Sequence, residues 1–278
     1  MGALTLLHGD GALYLTAAGA RLARYVYNPD VAADESPRPF LHPVRTLAGV
    51  PVTDLRPADH PWHHGLSLAL PYVGATNLWG GRSWDSRSRD YVDLHNNGRM
   101  RHDSIALTER RGRPGFVEAL TWLTADGTAI AAERRTLSFW SSENAWSLDW
   151  RSEITNTSGA PLAFGSPATH GREGAGYGGI FLRAAPAFAS AVVGTAARRD
   201  APGEPMLGAV GKWMELSTGG DSPVTVRMDA GVRTPWFVRT EEYPGFGPAP
   251  FFADEAVLES GDKLELSCQV TITDDDSA

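Results

Sequence analysis

The amino-acid sequence predicts an all-β fold, built as one large and mostly antiparallel β-domain. Three observations carry that prediction. Short segments in which apolar and polar residues alternate recur along the chain, as strands with one buried face require. Glycine (30) and proline (19) separate these segments as turn formers. No stretch of about 12 or more residues keeps a helical period throughout.

In chain order, the apolar run LSLAL follows the heptad DHPWHHG of residues 59–65 and reads as a strand. Residues 77–99, NLWGGRSWDSRSRDYVDLHNNGR, read as a long polar and aromatic loop; such loops in a compact domain are functional or disordered. Between Phe116 and Ile154 lie GFVEALTWLT, TAIAAERRTLSFW and AWSLDWRSEI, most simply three antiparallel strands. Asp126-Gly127 would supply the positive φ angles of a two-residue hairpin between the first two. In the third, Trp146, Leu148 and Trp150 point one way and Ser147, Asp149 and Arg151 the other. APAFASAVVGTAAR, residues 185–198, is the best helical candidate, but Gly194 breaks it. Val224, Val226 and Met228 alternate, as do Leu264, Leu266, Cys268, Val270 and Ile272 in a terminal strand that closes the domain. Neither repeats nor a dividing linker appears, so residues 1–278 read as a single domain with an acidic tail at about 274–278.

Composition narrows the function classes. Hydrophobic residues make up 42% and charged residues 21%, the balance of a soluble globular protein. A net charge of −8 argues against a nucleic-acid partner, which needs clustered cations to neutralise phosphates. Arg110, Arg111 and Arg113 read as a solvated hairpin. Cys268 is the one cysteine, so no disulfide framework exists, and its strand position suits a buried thiol. The first residues lack a secretory pattern and no run approaches the roughly 18 apolar residues that span a bilayer. These features predict a cytoplasmic protein without a membrane partner.

Four stretches could carry chemistry. The heptad holds His60, His63 and His64 with Asp59 and Trp62, and Pro61 makes it a shaped loop rather than a helix interior. Histidines on such a loop serve as acids, bases or metal ligands, or one caps a turn while another packs beside Trp62. The stretch ATHGREGAGYGG, residues 168–179, presents His170, Arg172 and Glu173 among glycines that let a backbone approach a ligand. Its Gly174, Gly176 and Gly179, with Asp200 beyond, have dinucleotide-fingerprint spacing, but they run into IFLR, a strand and not a helix, so no nucleotide is expected. Trp236, Arg239, Glu241, Glu242 and Tyr243 precede a Gly/Pro-rich loop with no room for regular structure; at most one of two adjacent glutamates on a strand faces a site. The long loop adds Trp79, Trp84 and Asp85. Trp62, Trp79, Trp84 and Trp236 are left as flat platforms for a sugar ring once strand patterns have claimed the other tryptophans.

RPFLHPVRTLAGVPVTDLRPADHPWHHGLSLALPYVGATNLW, with GYGGIFLR and TPWFVRTEEYPGFGPAPFFADEAVLESGDKLEL, resembles the bacterial PmoA-like family over roughly residues 20 to 272. The "methane oxygenase" label attached to that family is a misnomer, since nothing here is similar to a membrane-bound monooxygenase subunit. The resemblance implies a galactose-mutarotase-like β-supersandwich with a concave sugar-binding surface, in a setting beside nicotinamide-dependent sugar oxidoreductases. Mutarotase-like enzymes pair a histidine acid with a glutamate base; by residue type and loop position His63, His64 or His170 could take the first role and Glu173, Glu241 or Glu242 the second.

The leading expectation is a carbohydrate-active enzyme that abstracts a proton from a sugar or keto glycoside, as an epimerase or a β-eliminating lyase. Its catalytic candidates are His63, His64, His170, Glu173 and Glu241. Its substrate-binding candidates are Asp59, His60, Trp62, Trp79, Trp84, Asp85, Arg172, Trp236, Arg239 and Glu242, with Asp59 fixing the tautomer of a neighbouring histidine. Zinc or manganese between His63 or His64, His170 and Glu173 is a variant. The alternatives are a non-catalytic carbohydrate-binding or sensing protein, or an accessory partner of a sugar oxidoreductase.

Overall fold

The structure, a computed structural model, describes residues 3–196 and 206–275. Asp200 and the end of the acidic tail, 276–278, lie outside them. A first meander comprises β1 (Leu4–Gly9), β2 (Ala12–Ala17), β3 (Ala20–Val26), β4 (Phe40–Val44) and β5 (Leu66–Ala69). Short strands β6 (Tyr72–Val73), β7 (Ser83–Asp85) and β8 (Asp90–Val92) follow. A second meander holds β9 (Arg99–Arg110), β10 (Arg113–Leu123), β11 (Ala129–Ser141) and β12 (Ala145–Asn156). The rest are β13 (Leu162–Gly165), β14 (Gly179–Arg183), β15 (Val192–Thr195), β16 (Val210–Ser217), β17 (Val224–Arg239), β18 (Gly245–Pro248), β19 (Ala256–Leu258) and β20 (Lys263–Asp274).

The all-β prediction holds: the helical elements that lie wholly within the described residues are two 3₁₀ turns, Ala33–Glu35 and Pro186–Phe188. Fifteen strands form one antiparallel sheet, ordered β1-β2-β3-β4-β5-β14-β18-β17-β20-β12-β11-β10-β9 with β16 and β15 beside β17. Strand β17 is the fold's hinge. Its residues 224–235 pair with β20 and β16, and its last four, Trp236 to Arg239, with β18. The long sheet thereby turns on itself, and β3 of one layer faces β10 and β11 of the other. Tyr25 packs on Phe116 with ring centroids 4.6 Å apart. Leu13, Leu15, Leu137, Leu148 and Trp150 belong to the larger of two buried clusters, the one between the layers.

Charges also cross that core. Arg135 is fully buried and donates to both oxygens of Glu133, at 2.8 and 2.9 Å, and to the Tyr25 hydroxyl at 3.1 Å. Tyr25 in turn donates to Glu118, which also meets His102 Nδ1 at 2.7 Å. Trp122 Nε1 closes the network on Glu133. Satisfied partners are what make buried charges tolerable.

Several expectations are corrected. Asp126 is not at positive φ; Gly127 alone is, at +89°, in a loop from Thr124 to Thr128 that is longer than a two-residue hairpin. Two-residue turns with both φ positive occur instead at Asp10-Gly11, Ala18-Gly19 and Arg111-Gly112, the last in the exposed arginine hairpin. Residues 185–198 hold no α-helix where described; the 3₁₀ turn Pro186–Phe188 leads into β15. The Gly/Pro-rich stretch after Tyr243 does hold a strand, β18. The terminal strand β20 lies between β17 and β12, in the sheet's middle. Within the 77–99 loop, β7 and β8 form a small hairpin.

Candidate functional site

The heptad is a double turn. Backbone bonds from His60 N to Pro57 O (3.0 Å) and from His63 N to His60 O (2.9 Å) bring the rings of His60 and His63 into a parallel stack, 4.5 Å apart at 12°. The loop is tied down from below, where the buried Arg38 donates to the Trp62 carbonyl at 2.7 Å. Gly65 ends it at φ +47°, where a Cβ would lie 2.2 Å from Leu41 O. Gly81 gives the Trp62 ring its seat, since a Cβ there would reach the indole at 2.8 Å.

Asp59 orients two histidines, one of them through an arginine. Its Oδ2 lies 2.7 Å from His60 Nδ1, and Arg183 donates to Oδ2 at 3.0 Å and Oδ1 at 3.2 Å. Burial opposes the Asp59 charge, but the bonds from His60 and Arg183 outweigh it and hold the carboxyl below its ordinary range. An ionised carboxylate only accepts, so His60 carries a hydrogen on Nδ1, and whenever the ring is in its neutral form the lone pair stands at Nε2. Arg183 Nη1 also lies 3.3 Å from His63 Nδ1. Arginine only donates, which places the hydrogen of neutral His63 on Nε2. Burial, then the charges of His60, Arg183 and Arg38, push His63 well below the usual histidine range, so the ring is neutral near pH 7. Its Nε2 is buried without a partner among the described residues. One carboxylate and one guanidinium thus set two stacked imidazoles to opposite roles, acceptor and donor.

A cleft of about 610 Å³ opens on this pair. Trp62, Trp79, Tyr177, Phe237 and Tyr243 form its apolar wall, and Arg172, Arg239 and Glu242 stand on its polar side. Arg239 meets Glu242 at 3.4 Å. Tyr243 packs on both His60 and His63, at 4.8 and 5.3 Å, and under the Arg183 guanidinium at 4.5 Å. Burial pushes the Tyr243 phenol well up, so it stays a neutral donor.

Of the residues expected from sequence, His60, Trp62, His63, Trp79, Arg172, Arg239 and Glu242 line this one cleft. Asp59 stands behind His60, and Trp84 lies under Arg172 at 5.6 Å. The others go elsewhere. His64 points away from the cleft and donates to Glu35 Oε2 at 3.1 Å, and Glu35 takes two 2.8 Å bonds from Arg56. Burial and the charge of Arg38 bring His64 down to about 4 against the pull of Glu35, so this is a neutral N–H on a carboxylate. His170 stacks on Tyr72 at 3.8 Å, with Nδ1 at 3.1 Å from Ser166 O. Glu173 and Glu241 are exposed, and neither lines the cleft. The carboxylate of Asp85 caps the turn at Arg87 and Ser88. Trp236 is fully buried with its indole donating to Gly211 O, a core residue. His63, His64, His170 and Glu173 therefore do not share one environment, and no three His, Cys, Asp or Glu side chains among the described residues are grouped to hold a metal ion.

Sequence reasoning missed Arg183, Tyr91 and Tyr177. Arg183 ends the apolar run GYGGIFLR, where a lone arginine after four strand residues was the available signal. Tyr91 and Tyr177 sat among polar and glycine-rich loop residues with no pattern to mark them.

A family model described as "Family of unknown function (DUF6807)" matches residues 12–278. No curated protein matches. Among solved structures, the galactosidase domain of alpha-galactosidase-sucrose kinase, AgaSK, is similar at 8% identity with a TM-score of 0.38, covering 98% of this chain and 40% of that chain. The chain thus spans well under half the length of that structure.

Proposed function

As the chain belongs to the DUF6807 family of unknown function, its activity has to be read from its own cleft, and we propose that it is a carbohydrate-active enzyme working by proton transfer on a sugar or keto glycoside. The observation that carries this reading is the stacked His60–His63 pair, set to opposite hydrogen-bonding roles by Asp59 and Arg183 at the wall of an aromatic cleft. His60 Nε2 takes the proton from the carbon beside a carbonyl, and Asp59 stabilises the imidazolium that forms. The electron pair moves onto the carbonyl oxygen, and the buried, unpartnered His63 Nε2–H is the donor suited to the developing negative charge once a bound sugar reaches it. Protonation of the opposite face by water, with His60 passing its own proton to solvent, gives an epimer; return of the electron pair from the oxygen with departure of a leaving group one carbon further gives elimination. This replaces His64, His170, Glu173 and Glu241 with His60 as the base.

Trp62, Trp79 and Tyr243 suit the C–H face of a sugar ring, and on their own they equally favour a non-catalytic binding protein. Turnover separates the two. Incubation with a panel of 3-keto and native glycosides is expected to give a product with the native protein and none with His60→Ala, while sugar binding persists in both. Equal turnover by His60→Ala, or binding of the whole panel without any product, would remove the catalytic assignment.

A further inference from the structure

Arg172 is a cation without a carboxylate, held rigidly at the polar side of the cleft. Its backbone sits in a tight turn, with Arg172 N on Pro167 O at 2.9 Å and Ala175 N on Arg172 O at 3.1 Å. Its guanidinium lies over the Tyr91 ring at 4.8 Å and the Trp84 ring at 5.6 Å, and Nη1 donates to the Tyr91 hydroxyl at 3.0 Å. No ion pair to Arg172 exists among the described residues, and four of its five N–H groups have no protein acceptor there. Of the acids that line the cleft, Glu242 is engaged with Arg239 and Asp93 with His95 at 3.2 Å, and Asp34 makes no ion pair with Arg172.

The hydroxyls beside it add to the same imbalance. Tyr91 and Tyr177 share one hydrogen bond at 3.1 Å. Two phenols carry two hydrogens, so whichever donates, one is left without a protein acceptor. Burial and the neighbouring Tyr91 raise Tyr177 far above the ordinary tyrosine range, so its hydroxyl keeps its hydrogen. The corner formed by Arg172, Tyr91 and Tyr177 is therefore rich in fixed donors and poor in acceptors, the complement of an oxyanion. A neutral sugar brings hydroxyls that both give and accept, and it would leave the charge on Arg172 uncompensated.

We propose that the sugar taken by this cleft carries an anionic oxygen group, a carboxylate or a phosphate ester, that Arg172 grips. This rests on the reading of the cleft as a sugar site and names its substrate class. Arg172 is then a binding residue, across the cleft from the chemistry at His60.

Calorimetric titration of the whole protein with glucose, glucuronate and glucose 6-phosphate tests it. One or both anions should bind at least roughly 10-fold tighter than glucose, the scale of one charge-assisted hydrogen bond. Which anion leads identifies carboxylate or phosphate. Arg172→Gln should erase the preference, Arg172→Lys should keep part of it, and Tyr91→Phe, which frees the guanidinium without removing it, should reduce it several-fold. Equal binding of glucose and both anions, no binding of either anion, or a preference that survives Arg172→Gln in a variant with a native unfolding transition, overturns the proposal. The titration needs no turnover: an anion preference retained by His60→Ala beside His60-independent turnover would sink only the catalytic reading. His60-dependent turnover of neutral keto glycosides without any anion preference would sink only this one.

Discussion

Asp59 is the residue from which the site's chemistry follows, because its charge determines which nitrogen of His60 carries hydrogen. Asp59→Asn replaces an acceptor by a group that can donate to Nδ1 and so favours the wrong tautomer. Its kcat on a responsive keto glycoside should fall by roughly 10²–10⁴-fold with little change in KM, within the range of acid–base contributions. His63→Phe keeps a ring in the stack and removes the N–H; steady-state kinetics should show kcat down by about 10²–10³-fold. Histidine 64 makes a different prediction, on stability. Its folded-state value, about 4, lies below the unfolded value near 6.5, so the unfolded chain binds the proton first. The stability it contributes is fully present above pH 6.5 and declines as pH falls towards 4. His42 and His63 are lowered as well and add in the same direction. Denaturant unfolding across that window should show a loss on the order of 2–3 kcal/mol that His64→Gln reduces.

At the scale of elements, the heptad loop depends on the strands that bracket it. Gly65 joins it to β5 in a conformation and a space that admit no side chain. Gly65→Ala should cost roughly 3 kcal/mol, combining left-handed strain with a clash on backbone, and should lower the thermal unfolding temperature by several degrees. The β9–β12 meander was legible in the sequence because alternation and turns are local: β11 and β12 fall within a residue or two of the segments read as strands. Strand β18 was not, because glycine and proline in GFGP hide a pairing that β14 and β17 impose from either side. Trp236 looked like a platform for the same reason. Its neighbours Arg239 and Glu242 do reach the cleft, but the alternation of β17 turns Trp236 into the core.

Over the whole molecule, the two layers meet through the buried Arg135 network, and β17 belongs to both. Arg135→Ala would leave Glu133 and Glu118 buried without their cation, and urea denaturation should show about 3–5 kcal/mol lost. Convergence of the heptad with Arg172 and Arg239, more than a hundred residues away, was readable only as residue types on separate loops. Which histidine would face the cleft was not readable, because adjacent His63 and His64 differ only in the side to which the turn sends them. Nor was Arg183, whose role exists only once β14 lies beside β5. The most direct measurement is deuterium wash-in, followed by proton NMR, with the native protein and a keto glycoside in D₂O. The account predicts exchange at the carbon beside the carbonyl, lost with His60→Ala; unchanged exchange in that variant, or none with the native protein on any keto glycoside, would contradict it.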